Sequence, residues 1–252
     1  MSSRGSEFIR EAPRPSAVFA DRSVPTTAVS LPEVAVRASP ATLRVTEIFW
    51  SIQGESNRVG LPTAFIRLTG CPLRCVYCDT AYAFSGGRSM VLEEIVEQVV
   101  EMGASYVTVT GGEPLAQPAC LPLLTALCDR GFVVSLETGG ALDVSAVDPR
   151  VSRVVDLKTP GSGESHRNRF DNLAHLTAHD QLKFVLCDRD DYEWAKRRIV
   201  EHKLAGRCEL LFSPSHEQLS ATLLAEWILQ DRLPVRLQVQ LHKYLWGNVP
   251  GR

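Results

Sequence analysis

Cys71-Pro72-Leu73-Arg74-Cys75-Val76-Tyr77-Cys78 sets three cysteines in a CxxxCxxC run, directly after the apolar stretch Thr63-Ala64-Phe65-Ile66-Arg67-Leu68-Thr69-Gly70. Three thiolates this close can hold three irons of a [4Fe–4S] cube and leave the fourth open to an outside ligand. An open, redox-active metal corner at the end of a strand is a place for chemistry rather than a structural staple. Two plainer readings compete. A structural zinc site closes with four protein ligands in paired knuckles, whereas the next cysteine, Cys120, has no CxxC partner and no histidine stands beside the run. A disulfide would leave one of the three thiols unpaired and needs an oxidising compartment. The other four cysteines, Cys120, Cys128, Cys187 and Cys208, stand alone in apolar segments and read as small buried hydrophobes.

Working outward from the cysteines, short β-branched runs alternate with helical patterns. Val45–Trp50 and Ala64–Leu68 read as strands, and Val91–Met102 as a helix with Ser89 as a candidate cap. Strands follow at Tyr106–Thr110, Phe132–Leu136, Val151–Leu157, Gln181–Leu186, Glu209–Phe212 and Val235–Leu241. Helices are expected at Cys120–Cys128, Tyr192–His202 and Ala221–Leu229, with a weaker helical patch at Phe170–Leu176. This alternation implies a parallel sheet, whose active site gathers at the C-terminal strand ends. The unusual residues sit just there. The cysteine run, Thr110-Gly111-Gly112-Glu113-Pro114, Glu137-Thr138-Gly139-Gly140, Asp156-Leu157-Lys158-Thr159-Pro160-Gly161-Ser162-Gly163 and Phe212-Ser213-Pro214-Ser215 each follow a strand. Five such coincidences on one edge argue for one cofactor-sized cleft. In it, paired glycines allow close backbone approach to a ligand, and the neighbouring Glu113 can pair with an ammonium group.

The chain has 252 residues, 44% hydrophobic and 22% charged, enough for one α/β core. A formal net charge of −2 gives no reason to expect a nucleic-acid or membrane-surface partner. No run of about 18 apolar residues suggests a membrane span. Residues 1–40 are rich in Ser, Pro, Ala and Arg and lack the apolar core of a signal peptide, while Glu7, Glu11, Asp21 and Glu33 argue against a transit peptide. They are expected to form a flexible extension before a catalytic domain over 41–252, in a cytoplasmic protein.

The cysteine spacing, the Gly111-Gly112-Glu113-Pro114 turn and the aromatic Tyr77 before the last cysteine resemble the radical S-adenosylmethionine (SAM) enzymes. Within that superfamily, four segments resemble the 7-carboxy-7-deazaguanine synthase family over roughly 43–246. They are Glu47-Ile48-Phe49-Trp50-Ser51-Ile52-Gln53-Gly54-Glu55-Ser56, then Phe65-Ile66-Arg67-Leu68-Thr69-Gly70-Cys71, then Cys78-Asp79-Thr80, and finally Gln238-Val239-Gln240-Leu241-His242-Lys243. The resemblance implies a partial (β/α)6 TIM-like barrel with additional flanking strands at both ends. It implies a [4Fe–4S] cluster on Cys71, Cys75 and Cys78, SAM on its open iron, and Mg²⁺ ligated by Thr80. SAM contacts would come from Tyr77, Cys78, Asp79, Gly112, Glu113, Glu137, Asp156, Lys158 and Ser213. Substrate contacts would come from Ile52, Gln53, Gly54, Glu55, Arg67, Thr110 and His242.

The implied reaction rearranges 6-carboxy-5,6,7,8-tetrahydropterin into 7-carboxy-7-deazaguanine with loss of ammonia, a step toward queuosine and other 7-deazapurines. An external one-electron donor, flavodoxin-like, reduces the cluster; SAM cleavage then yields a radical that takes hydrogen from C6 of the pterin. A homodimer is expected. The residue types suit this substrate. Gln53, Glu55 and the backbone of Ile52–Gly54 can read the amide and amino edge of a pterin, and Arg67 offers a bidentate fork for its carboxylate. Thr80 would be the single protein ligand of an otherwise water- and substrate-bound magnesium. Each residue also has a bland reading: Arg67 as a structural ion pair, His242 as a packed histidine at a strand end, Thr80 as a turn cap, Lys158 as a surface lysine. The competitor inside the superfamily is a glycyl-radical activase, which shares CxxxCxxC but has no use for a pterin-reading segment. Outside it stands a structural or electron-transfer iron–sulfur protein.

Overall fold

The computed structural model describes residues 41–251; the extension expected over 1–40 lies outside the described residues. One nine-stranded sheet organises the chain. Its strands are β1 (Thr42–Ile52), β2 (Pro62–Leu68), β3 (Arg88–Val91), β4 (Tyr106–Gly111), β5 (Val133–Thr138), β6 (Ser152–Asp156), β7 (Gln181–Leu186), β8 (Glu209–Pro214) and β9 (Arg236–Leu237). Their spatial order is β3-β1-β2-β4-β5-β6-β7-β8-β9. From β2 onward every neighbouring pair is parallel, whereas β1 runs antiparallel to both β2 and β3. This is the open, partial barrel expected, with flanking strands at both ends.

Four helices lie in the crossovers: α1 (Leu92–Glu101), α2 (Cys120–Asp129), α3 (Arg189–Glu201) and α4 (Ala221–Asp231), with α5 (Leu241–Trp246) after the last strand. α1 buries Ile95, Val96 and Val99 at helical spacing, each worth about 1.5–3 kcal/mol when fully removed from water. Ser89 is not its cap: it belongs to β3, and α1 starts from Val91 with Glu93 and Glu94 in its first turn, where acids favour the helix N-terminus. The β6–β7 crossover carries only short 3-10 turns, one of them the Phe170–His175 patch expected as a weak helix.

Strand alternation separates core from site. Ala64, Ile66, Val107, Val109, Val134, Leu136, Val155, Leu182 and Phe184 join the buried apolar core. The intervening residues, Phe65, Arg67, Thr110, Glu137, Val154, Asp156, Lys183 and Val185, line one cavity on the other face.

The final strand departs from expectation. Only Arg236 and Leu237 pair with β8, opposite Leu211 and Phe212. β8 ends at Pro214, which has no N–H for a longer ladder. The chain then turns, Leu241 N donates to Gly54 O at 3.0 Å, and α5 begins. His242 therefore sits in a first helical turn rather than in a strand.

Candidate active site

The cysteine loop leaves β2 through Gly70, whose φ of 97° favours glycine. Two contacts lock the start of the loop against the end of β4: Gly112 N donates to Leu68 O at 3.1 Å, and Glu113 N donates to Gly70 O at 2.7 Å. The paired glycines are needed for this approach, since a Cβ on Gly111 or Gly112 would stand 2.2 Å from the Leu68 or Gly70 carbonyl oxygen, respectively. Cys71, Cys75 and Cys78 are free, half-buried, and all on the wall of the same cavity of about 590 Å³. That volume suits a cofactor together with a small substrate. No other cysteine lines it. Among the described residues no three His, Cys, Asp or Glu side chains converge on a single ion. Burial pushes the Cys75 thiol up to about 11, with Lys158 opposing, so a metal cluster must displace protons as it binds.

Beside the loop, the Tyr77 hydroxyl and Asp156 Oδ1 are buried with no partner in the protein, and both residues line the cavity. Such orphaned groups in a cavity wall are the fit expected for a polar cofactor. Lys158, buried, donates to Asp156 Oδ2 at 2.8 Å and stands 5.9 Å from the Tyr77 ring centroid. Burial works to lower its pKa, and Asp156 overrides that and keeps the ammonium charged. The bland reading of Lys158 as a surface lysine is thereby removed.

The same cavity also carries a row of paired charges. Gln53, buried at the end of β1, donates through Nε2 to Thr108 Oγ1 at 3.0 Å and to Glu137 Oε1 at 3.4 Å. Thr110 Oγ1 donates to Glu137 Oε2 at 3.0 Å, so Glu137 sits with the expected substrate readers. Burial, then the charge of Glu55, push the Glu137 carboxyl up. Glu55 behaves oppositely: burial works to raise it, and its ion pair with Lys183 overrides this and lowers it. Arg67 donates through Nε to Glu47 Oε1 at 2.6 Å, which also accepts from Tyr82 Oη at 2.8 Å. Its guanidinium lies 5.5 Å from the Phe49 ring centroid and 5.8 Å from that of Tyr82. Arg67 is thus both an ion-pair member and a cavity residue, with its Nε committed to Glu47.

The C-terminal segment covers this wall. His242 lies against the chain at Gly54, where a Cβ would stand 2.1 Å from His242 Nδ1, which explains a glycine between Gln53 and Glu55. Burial draws the imidazole below its usual range. Lys243 Nζ and Gln240 Nε2 donate to Asp79 Oδ2 at 2.8 and 3.2 Å, and Thr80 Oγ1 donates to Asp79 Oδ1 at 2.9 Å. Gly247 to Gly251 also line the cavity.

The cavity collects every expected site residue except Glu113. The Glu113 carboxyl is fully buried and accepts from Gly139 N at 2.7 Å, Thr138 Oγ1 at 2.8 Å and Leu115 N at 3.1 Å. Its place is under the glycines, fixing the backbone that a ligand meets. Sequence reasoning missed Lys183, Glu47, Tyr82 and Lys243. A lone lysine in the apolar strand Gln181–Leu186 was the available signal for the first.

Residues 65–156 match the Radical SAM superfamily. A 7-carboxy-7-deazaguanine synthase of Chlorobaculum tepidum is 49% identical over 213 residues, covering 83% of this chain and 97% of that protein. A 7-carboxy-7-deazaguanine synthase of Koribacter versatilis is 41% identical over 219 residues, 81% and 97% of the two chains. The crystal structure of QueE from Escherichia coli superposes with a TM-score of 0.66 at 23% identity, over 80% of this chain and 95% of that one. The chain belongs to the 7-carboxy-7-deazaguanine synthase family, radical SAM enzymes whose ring contraction serves 7-deazapurine biosynthesis.

Proposed function

We propose that the cavity converts 6-carboxy-5,6,7,8-tetrahydropterin into 7-carboxy-7-deazaguanine with loss of ammonia, with cluster and SAM at the cysteine wall and pterin at the charged wall. The observation that carries this is one cavity that gathers the three thiols and the unpartnered polar groups of Tyr77 and Asp156 together with the preset hydrogen-bonding carboxylates of Glu55 and Glu137. When bound, the cluster and SAM supply a hydrogen-abstracting carbon radical. Cys71, Cys75 and Cys78 hold the cluster; Gly112, Tyr77, Asp156, Lys158 and Ser213 surround SAM. Glu55, kept ionised by Lys183, accepts from the donor edge of the pterin, Gln53 and the Ile52–Gly54 backbone complete that edge, and Arg67 meets the carboxylate. His242 closes over them and excludes water.

Thr80 and its neighbour Asp79 supply hard oxygens suited to Mg²⁺. Lys243 already neutralises one oxygen of Asp79, so Thr80 is the ligand and Asp79 its brace. A flavodoxin-like donor approaches where Pro72 and Val76 of the cysteine loop face solvent, the latter 69% exposed. The homodimer uses the apolar C-terminal edge, where Tyr244, Leu245 and Val249 are exposed. The cytoplasm, where thiols stay reduced, suits the three free cysteines. The deciding assay is anaerobic. Reconstituted protein receives SAM, dithionite and carboxytetrahydropterin, and 7-carboxy-7-deazaguanine is followed by mass spectrometry. Deoxyadenosine formed with no pterin-derived product would overturn this reading.

A further inference from the structure

The turn Thr159-Pro160-Gly161-Ser162-Gly163-Glu164 follows β6 at the active edge, yet none of its residues lines the cavity. Instead it grips the cysteine loop twice. Arg74 N, between the first two cysteines, donates to Glu164 Oε1 at 2.7 Å, and Val76 N, between the last two, donates to Ser162 O at 3.1 Å. The turn is internally braced, with Ser162 Oγ donating to Thr159 O at 2.6 Å and Glu164 N donating to Ser162 Oγ at 3.0 Å. From beneath it is held by Asp191, 1% exposed, in the first turn of α3. Asp191 accepts from Gly161 N at 2.8 Å, Thr159 Oγ1 at 2.9 Å and Cys187 N at 2.9 Å. A Cβ on Gly161 would stand 2.4 Å from Asp191 Oδ2, so the glycine is required by this anchor.

We propose that this turn cradles the cluster loop and that Glu164, a positioning residue, keeps the cluster's reduction potential low by holding the Arg74 amide on a carboxylate oxygen. Amides that donate to cluster sulfurs favour the reduced, more negative state and raise its potential. Here the Leu73 amide already donates to the Cys71 sulfur, while those of Arg74, Val76 and Cys78 are committed to oxygen acceptors, the last to Cys75 O at 3.1 Å. A low potential suits a cluster that must reduce a sulfonium. This inference rests on the assignment of the cluster to Cys71, Cys75 and Cys78 made above.

The test is an EPR-monitored redox titration of the reconstituted full chain without SAM, with iron content and circular dichroism as controls. Glu164→Ala frees the Arg74 amide. A hydrogen bond to a charged group is worth roughly a factor of ten or more in an equilibrium constant. The constant for one-electron reduction should therefore rise about tenfold, an upward shift of about 59 mV. Glu164→Gln keeps an acceptor oxygen and should move the potential by less than half as much. An unmoved potential in a fully loaded Glu164→Ala overturns the proposal, and equal shifts in both variants assign the effect to charge and overturn it too. If Glu164→Ala folds but loses its iron, Glu164→Gln decides: full iron at near wild-type potential supports the cradle, and lost iron overturns the acceptor role. A wild-type chain that binds no cluster would instead sink the site assignment itself.

Discussion

Replacing Lys183 with Met removes a buried cation while keeping most of its volume, and the loss falls on the carboxylates around it. Lys183 and Glu55 are each 12% exposed and pair directly, with Glu137 beside them. Breaking a buried pair from one side costs about 3–5 kcal/mol if the remaining charge stays. Glu55 avoids part of that cost by taking a proton, and a protonated carboxyl no longer accepts two donors from the pterin edge. Losing one charge-assisted hydrogen bond, about 1.5–3 kcal/mol, should raise KM for carboxytetrahydropterin about 10- to 150-fold. Deoxyadenosine release without substrate should persist, because the SAM wall keeps its residues. The pH dependence gives a second signature. In the wild type Glu55 is held below its ordinary value of 4.5, so its ionisation contributes stability above that pH, lost as pH falls through the folded value. In Lys183→Met the folded value rises instead. The stability deficit against wild type should therefore shrink as pH falls, and the KM deficit should shrink as pH rises and Glu55 ionises. Steady-state kinetics from pH 6 to 9, beside thermal melts carried from pH 9 down to below the ordinary Glu55 value of 4.5, would measure both. An unchanged KM with a flat profile would refute the role given to this pair.

Three other perturbations probe the remaining walls of the cavity. Cys71→Ala, Cys75→Ala or Cys78→Ala should abolish cluster retention and SAM cleavage, whereas Cys120, Cys128, Cys187 and Cys208 should tolerate Ala with iron content unchanged; an iron–sulfur spectrum in Cys75→Ala would contradict the assignment. Thr80→Ala should blunt the response of turnover to added Mg²⁺ while leaving SAM affinity within about twofold, and equal turnover with and without the metal would remove Thr80 from that role. Arg67→Ala leaves Glu47 without its 2.6 Å partner and the pterin carboxylate without a cation. It should lower kcat/KM at least about 30-fold, with uncoupled SAM cleavage retained; equal losses in both would assign Arg67 to the scaffold.

Much of this site was legible because its signals are local. CxxxCxxC is readable as spacing, and the strand-end glycines are readable because a close backbone approach tolerates nothing larger. Alternation in β2, β4 and β5 even predicts which residues face inward, since the core positions are apolar and the cavity positions carry Arg67, Thr110 and Glu137. Two kinds of feature were hidden. Pairings between segments, such as Lys183 with Glu55 and Arg67 with Glu47 on the neighbouring strands β2 and β1, depend on strand order and register, which no single segment encodes. The end of the last strand was hidden too: Val235–Leu241 has strand-like alternation, but its neighbour β8 runs out at Pro214 and the chain turns into α5. His242 reaches Gly54 through that turn, not through the ladder.

Glu113 stands out in the sequence for a sound reason, yet its carboxyl turns to the protein rather than to the cavity. A carboxylate after two glycines at a strand end is a natural partner for a ligand ammonium, and its sequence position says nothing about which way it faces. Here Thr138 and Gly139 stand at the end of β5, and their donors, with Leu115 N, satisfy the carboxyl from within the protein. With all three bonds made, Glu113 ties the ends of β4 and β5 together beneath Gly111 and Gly112. Burial still raises its pKa, the donors opposing. Thr138 and Gly139 line the cavity and Glu113 does not, so the three bonds of this carboxyl fix the backbone at the strand ends that border the cavity.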